Sequence, residues 1–307
     1  MSENNNNNNN KIKDSDDNGL SLIKSETDKK CAPAYSFKDG SCIPLDALIK
    51  TAKEYNKNHE DKIKLDRNME FMHPKKYKKY LVQSFNQKFP QCSNQLCWLD
   101  NLYKYDDKLK QKLVKKFHRP IGPQGKFTWL NTININDVMD QYTEKYDDFL
   151  FLGAVPMDFY EININDIKNL DYEDLYKNGI KKLGIVFNLD NHDQPGSHWV
   201  AGMINLEKGF LYYYDSYGVR AEKRVRFFFD KVAKIMQEKF KVSPTVDYNR
   251  KRHQYKDSEC GMFSLYFIIK MLEGKDFKEV CNSKINDDDV NALRDKYFVL
   301  PKSSNKK

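Results

Sequence analysis

The sequence predicts an α+β protein with a helical first half and, from about residue 120, a second half in which a central sheet is flanked by helices. Three observations carry this. Apolar residues at helical spacing recur between Pro44 and Phe117. Pro120, Gly122, Pro123 and Gly125 then break all periodicity. Beyond them, short apolar runs bounded by turn residues lie between longer helical patterns.

Residues 1–30 include seven consecutive asparagines and almost nothing apolar to bury, so they read as a disordered leader. Residues 31–119 read as a lysine-rich helical accessory domain. Pro44 opens a helix through Leu45, Leu48 and Ile49; a second runs from Pro74 through Tyr77, Tyr80, Leu81 and Phe85; a third spans Asp107 to Phe117. Residues 120–300 form the second domain, and 301–307 a disordered tail. In the second domain, Asn134 and Asn136 are candidate caps for a helix through Val138, Met139 and Tyr142. Strands are predicted at Phe149–Val155, Leu183–Leu189, Trp199–Ile204, Phe210–Asp215 and Val246–Tyr248. The third and fourth are joined through Glu207, Lys208 and Gly209, which suits a hairpin. Residues 221–240 are amphipathic, Gly261–Leu272 is apolar on most sides and so a buried helix, and a polar helix closes the domain at Asp287–Phe298.

Composition narrows the class. The chain has 307 residues and a net charge of +8, from 52 Lys and Arg against 44 Asp and Glu, scattered along its length. Scattered charge reads as compositional bias, and Arg220, Lys223, Arg224 and Arg226 as a solvated helix face. No apolar stretch is long enough to span a membrane and no signal peptide is evident, so an intracellular protein is expected. Six cysteines in such a chain are too sparse for a disulfide framework, and reduced thiols are expected. The spacing of Cys31, Cys42, Cys92 and Cys97 fits a structural zinc site poorly, so no metal is expected; Cys281 reads as the core residue of a short helix.

The chemistry centres on Cys260, just before the buried helix. A thiol at a helix N-terminus meets free N–H groups and the positive end of the dipole, which favour thiolate; the alternative is a small core residue. Gly261 would let a substrate backbone approach the sulfur. A nucleophilic cysteine needs a base, and the base an orienting partner. His192 sits in a polar loop and reads as a solvated turn residue, and His253 has no carboxylate placed to orient it. His198 precedes one hairpin strand and Asp215 ends the other. Counted back from the turn, they lie opposite each other to within a residue or two, close enough for imidazole–carboxylate contact. Gln254 is placed to offer its side-chain amide beside the Cys260 N–H as an oxyanion donor.

Taken together, His198 with Trp199, Asp215, Gln254 and Cys260 with Gly261 resemble the superfamily of SUMO-specific and adenovirus-type cysteine proteases, in which these residues follow in this order. Trp129, Leu130 and Asn131 look like the segment that opens the catalytic domain of SUMO proteases. The long first half looks most like that of virion-maturation proteases of large DNA viruses, of the asfarvirus and giant-virus type. The resemblance implies a permuted papain-like core with a central mixed sheet, a thiol protease needing no cofactor, and cleavage after Gly-Gly-type motifs. It also implies that Trp129 and Trp199 wall a tunnel threaded by glycines. The implied partner is a polypeptide, processed in the virion or host cytoplasm. Two alternatives stay open: removal of a ubiquitin-like modifier, and a catalytically silent module binding Gly-Gly tails or nucleic acid.

Overall fold

A computed structural model describes residues 25–103 and 113–299. The expected leader lies outside these residues up to position 24, and the expected tail wholly so. The packed chain begins before Cys31, however. Glu26–Lys29 form a 3-10 turn, and the buried Asp28 accepts a hydrogen bond from Gln95 N at 2.7 Å.

Four helices of the first half lie wholly within the described residues: α1 (Leu45–Asn58), α2 (Arg67–Met72), α3 (Pro74–Lys88) and α4 (Gln95–Leu102). Leu48 of α1, Leu81 and Phe85 of α3, and Trp98 of α4 meet in one core of their own. Of the helix expected at 107–117, residues 113–117 are helical and 107–112 lie outside the described residues. The thiols depart from expectation. Cys31 pairs with Cys42 and Cys92 with Cys97, with Cα atoms 5.2 and 5.4 Å apart. Local turns bring each pair together. Asp39 and Gly40, both at positive φ, fold Lys38 back on Ser41, while Asn94 caps α4 by accepting from Cys97 N. Neither the reduced state nor a shared metal site fits those four sulfurs.

The second half opens with α5 (Thr132–Lys145). Its N-cap is Asn131, which exchanges hydrogen bonds with Asn134 in a capping box. Asn136, expected as a cap, instead accepts from Ala154 N at 2.8 Å and ties α5 to the sheet. The sheet contains β1 (Phe149–Val155), β2 (Lys182–Asn188), β3 (Trp199–Asn205), β4 (Phe210–Tyr214) and β5 (Thr245–Tyr248), in that spatial order. The outer pairs are parallel and the inner two antiparallel, so the sheet is mixed. Helix α6 (Tyr172–Lys177), not anticipated from the sequence, precedes β2.

Every residue of β3 is buried because both faces of the sheet are covered. On one face, α5 and α8 (Cys260–Leu272) pack with Val138, Met139 and Phe263. On the other lies α7 (Lys223–Lys239), with Val225, Phe228, Phe229 and Val232. The expected final helix is broken into α10 (Asp287–Ala292) and α11 (Arg294–Tyr297), preceded by α9 (Phe277–Asn282), which carries the buried Cys281. Among the described residues no helix is long and apolar enough to cross a membrane.

Candidate active site

Cys260 is the first residue of α8 and is 2% exposed. Ten residues in succession, Cys260 to Ile269, are buried there, which seats the sulfur deep against the sheet with the helix dipole behind it. His198 stands immediately before β3, and Asp215 immediately after β4. The register pairs Ala201 with Tyr214, so one step further out Val200 faces Asp215, and His198 is its diagonal neighbour. His198 Nε2 lies 2.7 Å from Asp215 Oδ1, with both side chains buried. The Cys260 sulfur acts electrostatically on the same ring. One imidazole is thus bonded to a carboxylate and coupled electrostatically to a thiol that stand 45 residues apart in the chain.

Electrostatics favour a protonated ring. Burial pushes the His198 pKa down, but the hydrogen bond and charge of Asp215 and the interaction with Cys260 raise it further, to about 9. At neutral pH the ring is therefore an imidazolium able to donate a proton.

Several residues that hold this arrangement carried no signal in the sequence. Tyr217 stacks on the His198 ring at 4.5 Å, and its N–H donates to Asp215 Oδ1 at 2.9 Å. Asn249, just past β5, clamps the Asp215 backbone: its Oδ1 accepts from Asp215 N at 2.8 Å and its Nδ2 donates to Asp215 O at 2.6 Å. A hydrophobic period does not mark such contacts, because they depend on which loops meet at one end of the sheet.

Gln254 is fully buried beside this centre. Its N–H donates to Ser216 O at 3.0 Å, and its Oε1 accepts from Ser216 Oγ at 2.6 Å. With the oxygen so fixed, Nε2 uses one of its two hydrogens on Lys256 O at 2.7 Å, in the loop leading to Cys260.

Trp199 begins β3 and its Nε1–H donates to Leu130 O at 2.8 Å, while the neighbouring Trp129 is 45% exposed. Both line a groove of about 420 Å³ with Asn131, Asn188, His192 and Gly196. Gly261 is explained differently from expectation. A Cβ there would fall 2.9 Å from Leu130 Cβ, so the missing side chain admits Leu130 and docks the Trp129 segment against α8. His192 is exposed as expected, yet it has a partner, Asp158 Oδ2 at 2.6 Å, which holds its pKa above the usual imidazole value. His253 is buried, its Nδ1 lies 2.7 Å from the Tyr214 phenol oxygen, and its pKa is lowered by burial and by Lys251.

The chain is similar to known proteins in both sequence and fold. A family model described as the Ulp1 protease family, C-terminal catalytic domain, matches residues 178–306, which contain His198, Asp215, Gln254 and Cys260 but not Trp129. A protein of Acanthamoeba polyphaga mimivirus that carries the name of a thiol protease is 32% identical over 279 residues, spanning 87% of this chain and 92% of its own. The chain belongs to the Ulp1 protease family. A cysteine protease of African swine fever virus is 24% identical to this Ulp1-family chain over 207 residues, 62% of this chain and 75% of that protein. The crystal structure of the swine fever enzyme superimposes with a TM-score of 0.60 at 21% identity, covering 89% of this chain and 96% of the other. This Ulp1-family protein is a cysteine protease that acts on polypeptides.

Proposed function

We propose that this protease cleaves after Gly-Gly-type motifs in viral structural polyproteins during virion maturation, with Cys260 as nucleophile and His198 as its acid and base. The observation that carries the assignment is the buried His198–Asp215 pair, 2.7 Å apart, whose ring is coupled to the buried Cys260 at the start of α8. The Cys260 sulfur attacks the scissile carbonyl to form a tetrahedral oxyanion. His198 then gives its proton to the departing amine, leaving a thioester; it next takes a proton from water, which releases the acid and frees the thiol. Asp215 holds the ring in place throughout.

The oxyanion is received by the Cys260 N–H and by the Gln254 amide hydrogen that Lys256 does not take. Gln254→Ala should accordingly lower kcat by about 100- to 1,000-fold with little change in KM. Single-turnover rates on a short peptide measure this, and a near-unchanged rate would reduce Gln254 to a brace for the Ser216 loop.

Selectivity for glycine is attributed to Trp129 and Trp199. Both indoles line one groove, and flat aromatic walls closing on a bound chain would reject a Cβ by shape. Cleavage of a Gly-Gly-X peptide should fall about 100-fold when either glycine becomes alanine, the range a steric misfit imposes on transition-state binding. The same assay on a SUMO conjugate separates polyprotein processing from removal of a ubiquitin-like modifier. Efficient turnover of the conjugate but not of the free peptide would favour the modifier protease.

A further inference from the structure

The first residue of α11, Arg294, is 1% exposed and among the largest fully buried side chains of the molecule. Its Nη2 donates to Thr128 O at 2.7 Å and reaches Ser258 O at 3.5 Å. Thr128 directly precedes Trp129, and Ser258 lies two residues before Cys260. One guanidinium therefore joins the backbone just before Trp129 to the loop just before Cys260. We propose that Arg294 is a positioning residue for catalysis, tying the Trp129 segment to the loop that delivers Cys260 and setting a buried positive charge close to the nucleophile. This rests on the reading of Cys260 as nucleophile.

A side chain that merely filled space here would be apolar, since burying a cation with few hydrogen bonds is costly. Arg294 keeps its charge in that setting although Nε and Nη1 have no hydrogen-bond partner among the described residues. The carboxylate that acts on it is Glu259, fully buried, which already accepts from Ser258 N at 3.0 Å, Ser258 Oγ at 2.6 Å and Asn291 Nδ2 at 3.1 Å. Burial draws the Arg294 pKa down, and the charges of Glu259 and Cys260 oppose that. The guanidinium and the Cys260 sulfur therefore act on each other through this loop, with the Glu259 carboxylate as the opposing charge beside them. The charged and titratable groups around the sulfur are His198 with Asp215 from the sheet, Glu259 from its own loop, Arg294 from α11, and Tyr217 with Asp257 and Arg252 beside it. Arg294 is the buried cation in that set besides the imidazolium. The same short helix meets the first half of the chain, because the Asp295 carboxylate accepts from Lys30 and its carbonyl from Arg119 at 3.0 Å. The contact that orders the centre is thus continuous with the one that seats the accessory domain.

The test compares the full chain with Glu259→Gln, Arg294→Lys, Arg294→Met and the double variant Glu259→Gln/Arg294→Met. Each is measured for Tm, for kcat and KM on a Gly-Gly-X peptide, and for the pH dependence of Cys260 alkylation by iodoacetamide. Arg294→Lys should keep the alkylation profile of the wild type, because the charge remains. The double variant, relieved of an unpaired buried carboxylate, should fold yet show its acid limb raised by about one pH unit, and its kcat lowered about tenfold, relative to Glu259→Gln alone. A folded double variant with the profile and kcat of Glu259→Gln overturns the proposal. So does unfolding of every Arg294 variant, the lysine included, which would make the residue a structural keystone only. Wild-type protein that neither cleaves nor alkylates at Cys260 would remove the nucleophile assignment and this inference with it, whereas an active wild type beside a silent Arg294 series removes this inference alone.

Discussion

Cys260→Ala is expected to abolish cleavage while leaving the protein folded. Without the sulfur no thioester can form, and what remains is the slow reaction of water held beside the oxyanion donors. By analogy with triad knockouts in other hydrolases, kcat should fall by about 10⁴-fold or more. Structurally the change is small, since one buried sulfur is lost from the start of a helix whose other contacts persist. The stability cost should be about 1 kcal/mol, typical of a single mild core substitution. Cys260→Ser should be just as inactive, because a hydroxyl is far harder to deprotonate than a thiol. Thermal melting together with turnover of a Gly-Gly-X peptide checks both halves of the expectation. Substantial turnover by a folded alanine variant is incompatible with covalent catalysis at this position.

The second large effect concerns the choice of histidine. His198→Ala should cost about 10⁴-fold or more in kcat, because the base, the acid and the counter-ion of the thiolate disappear together. His253→Ala should leave most of the activity and act mainly on stability, since its buried ring serves Tyr214 and not the sulfur. The opposite ranking would mean that the wrong ring has been placed in the relay. In the wild type, the pKa of His198 is raised to about 9 from the 6.5 of an unperturbed imidazole. Its protonated form therefore stabilises the fold fully below pH 6.5, and that contribution fades as pH climbs through about 9. The rate of acylation should fall over the same alkaline limb as the proton for the leaving amine is lost. A pH–rate profile with Asp215→Asn alongside tests this, because weakening the Asp215 interaction should move the limb toward lower pH.

Much of this site could be read before any coordinates. The five strands fall within a residue or two of their predicted limits because each is a short apolar run between turn formers, and α7 and α8 declare themselves by amphipathicity and by near-total apolarity. The contact between His198 and Asp215 followed from counting outward from a hairpin turn, since an antiparallel register is a local property. Where helices were misjudged, the cause was also local. Asn131 out-competed its neighbours as a cap by forming a reciprocal box with Asn134, and Leu293 separates α10 from α11 without any proline or glycine to announce the break.

Chain order therefore fixed that His198 and Asp215 would meet, because hairpin geometry is set by neighbours a few residues apart, while the place of Cys260 beside them was implied by a family resemblance. Folding in three dimensions settled the rest: the Asn249 clamp on Asp215, Leu130 nested over Gly261, Arg294 between Thr128 and Ser258, and the pairing of four cysteines. The first three join segments 34 to 166 residues apart, and no periodicity encodes them. The pairing of the cysteines turned on turn conformations that spacing leaves open. What decides such contacts is which loops close-packing brings to the same end of the sheet, a property of the whole core and not of any stretch of sequence.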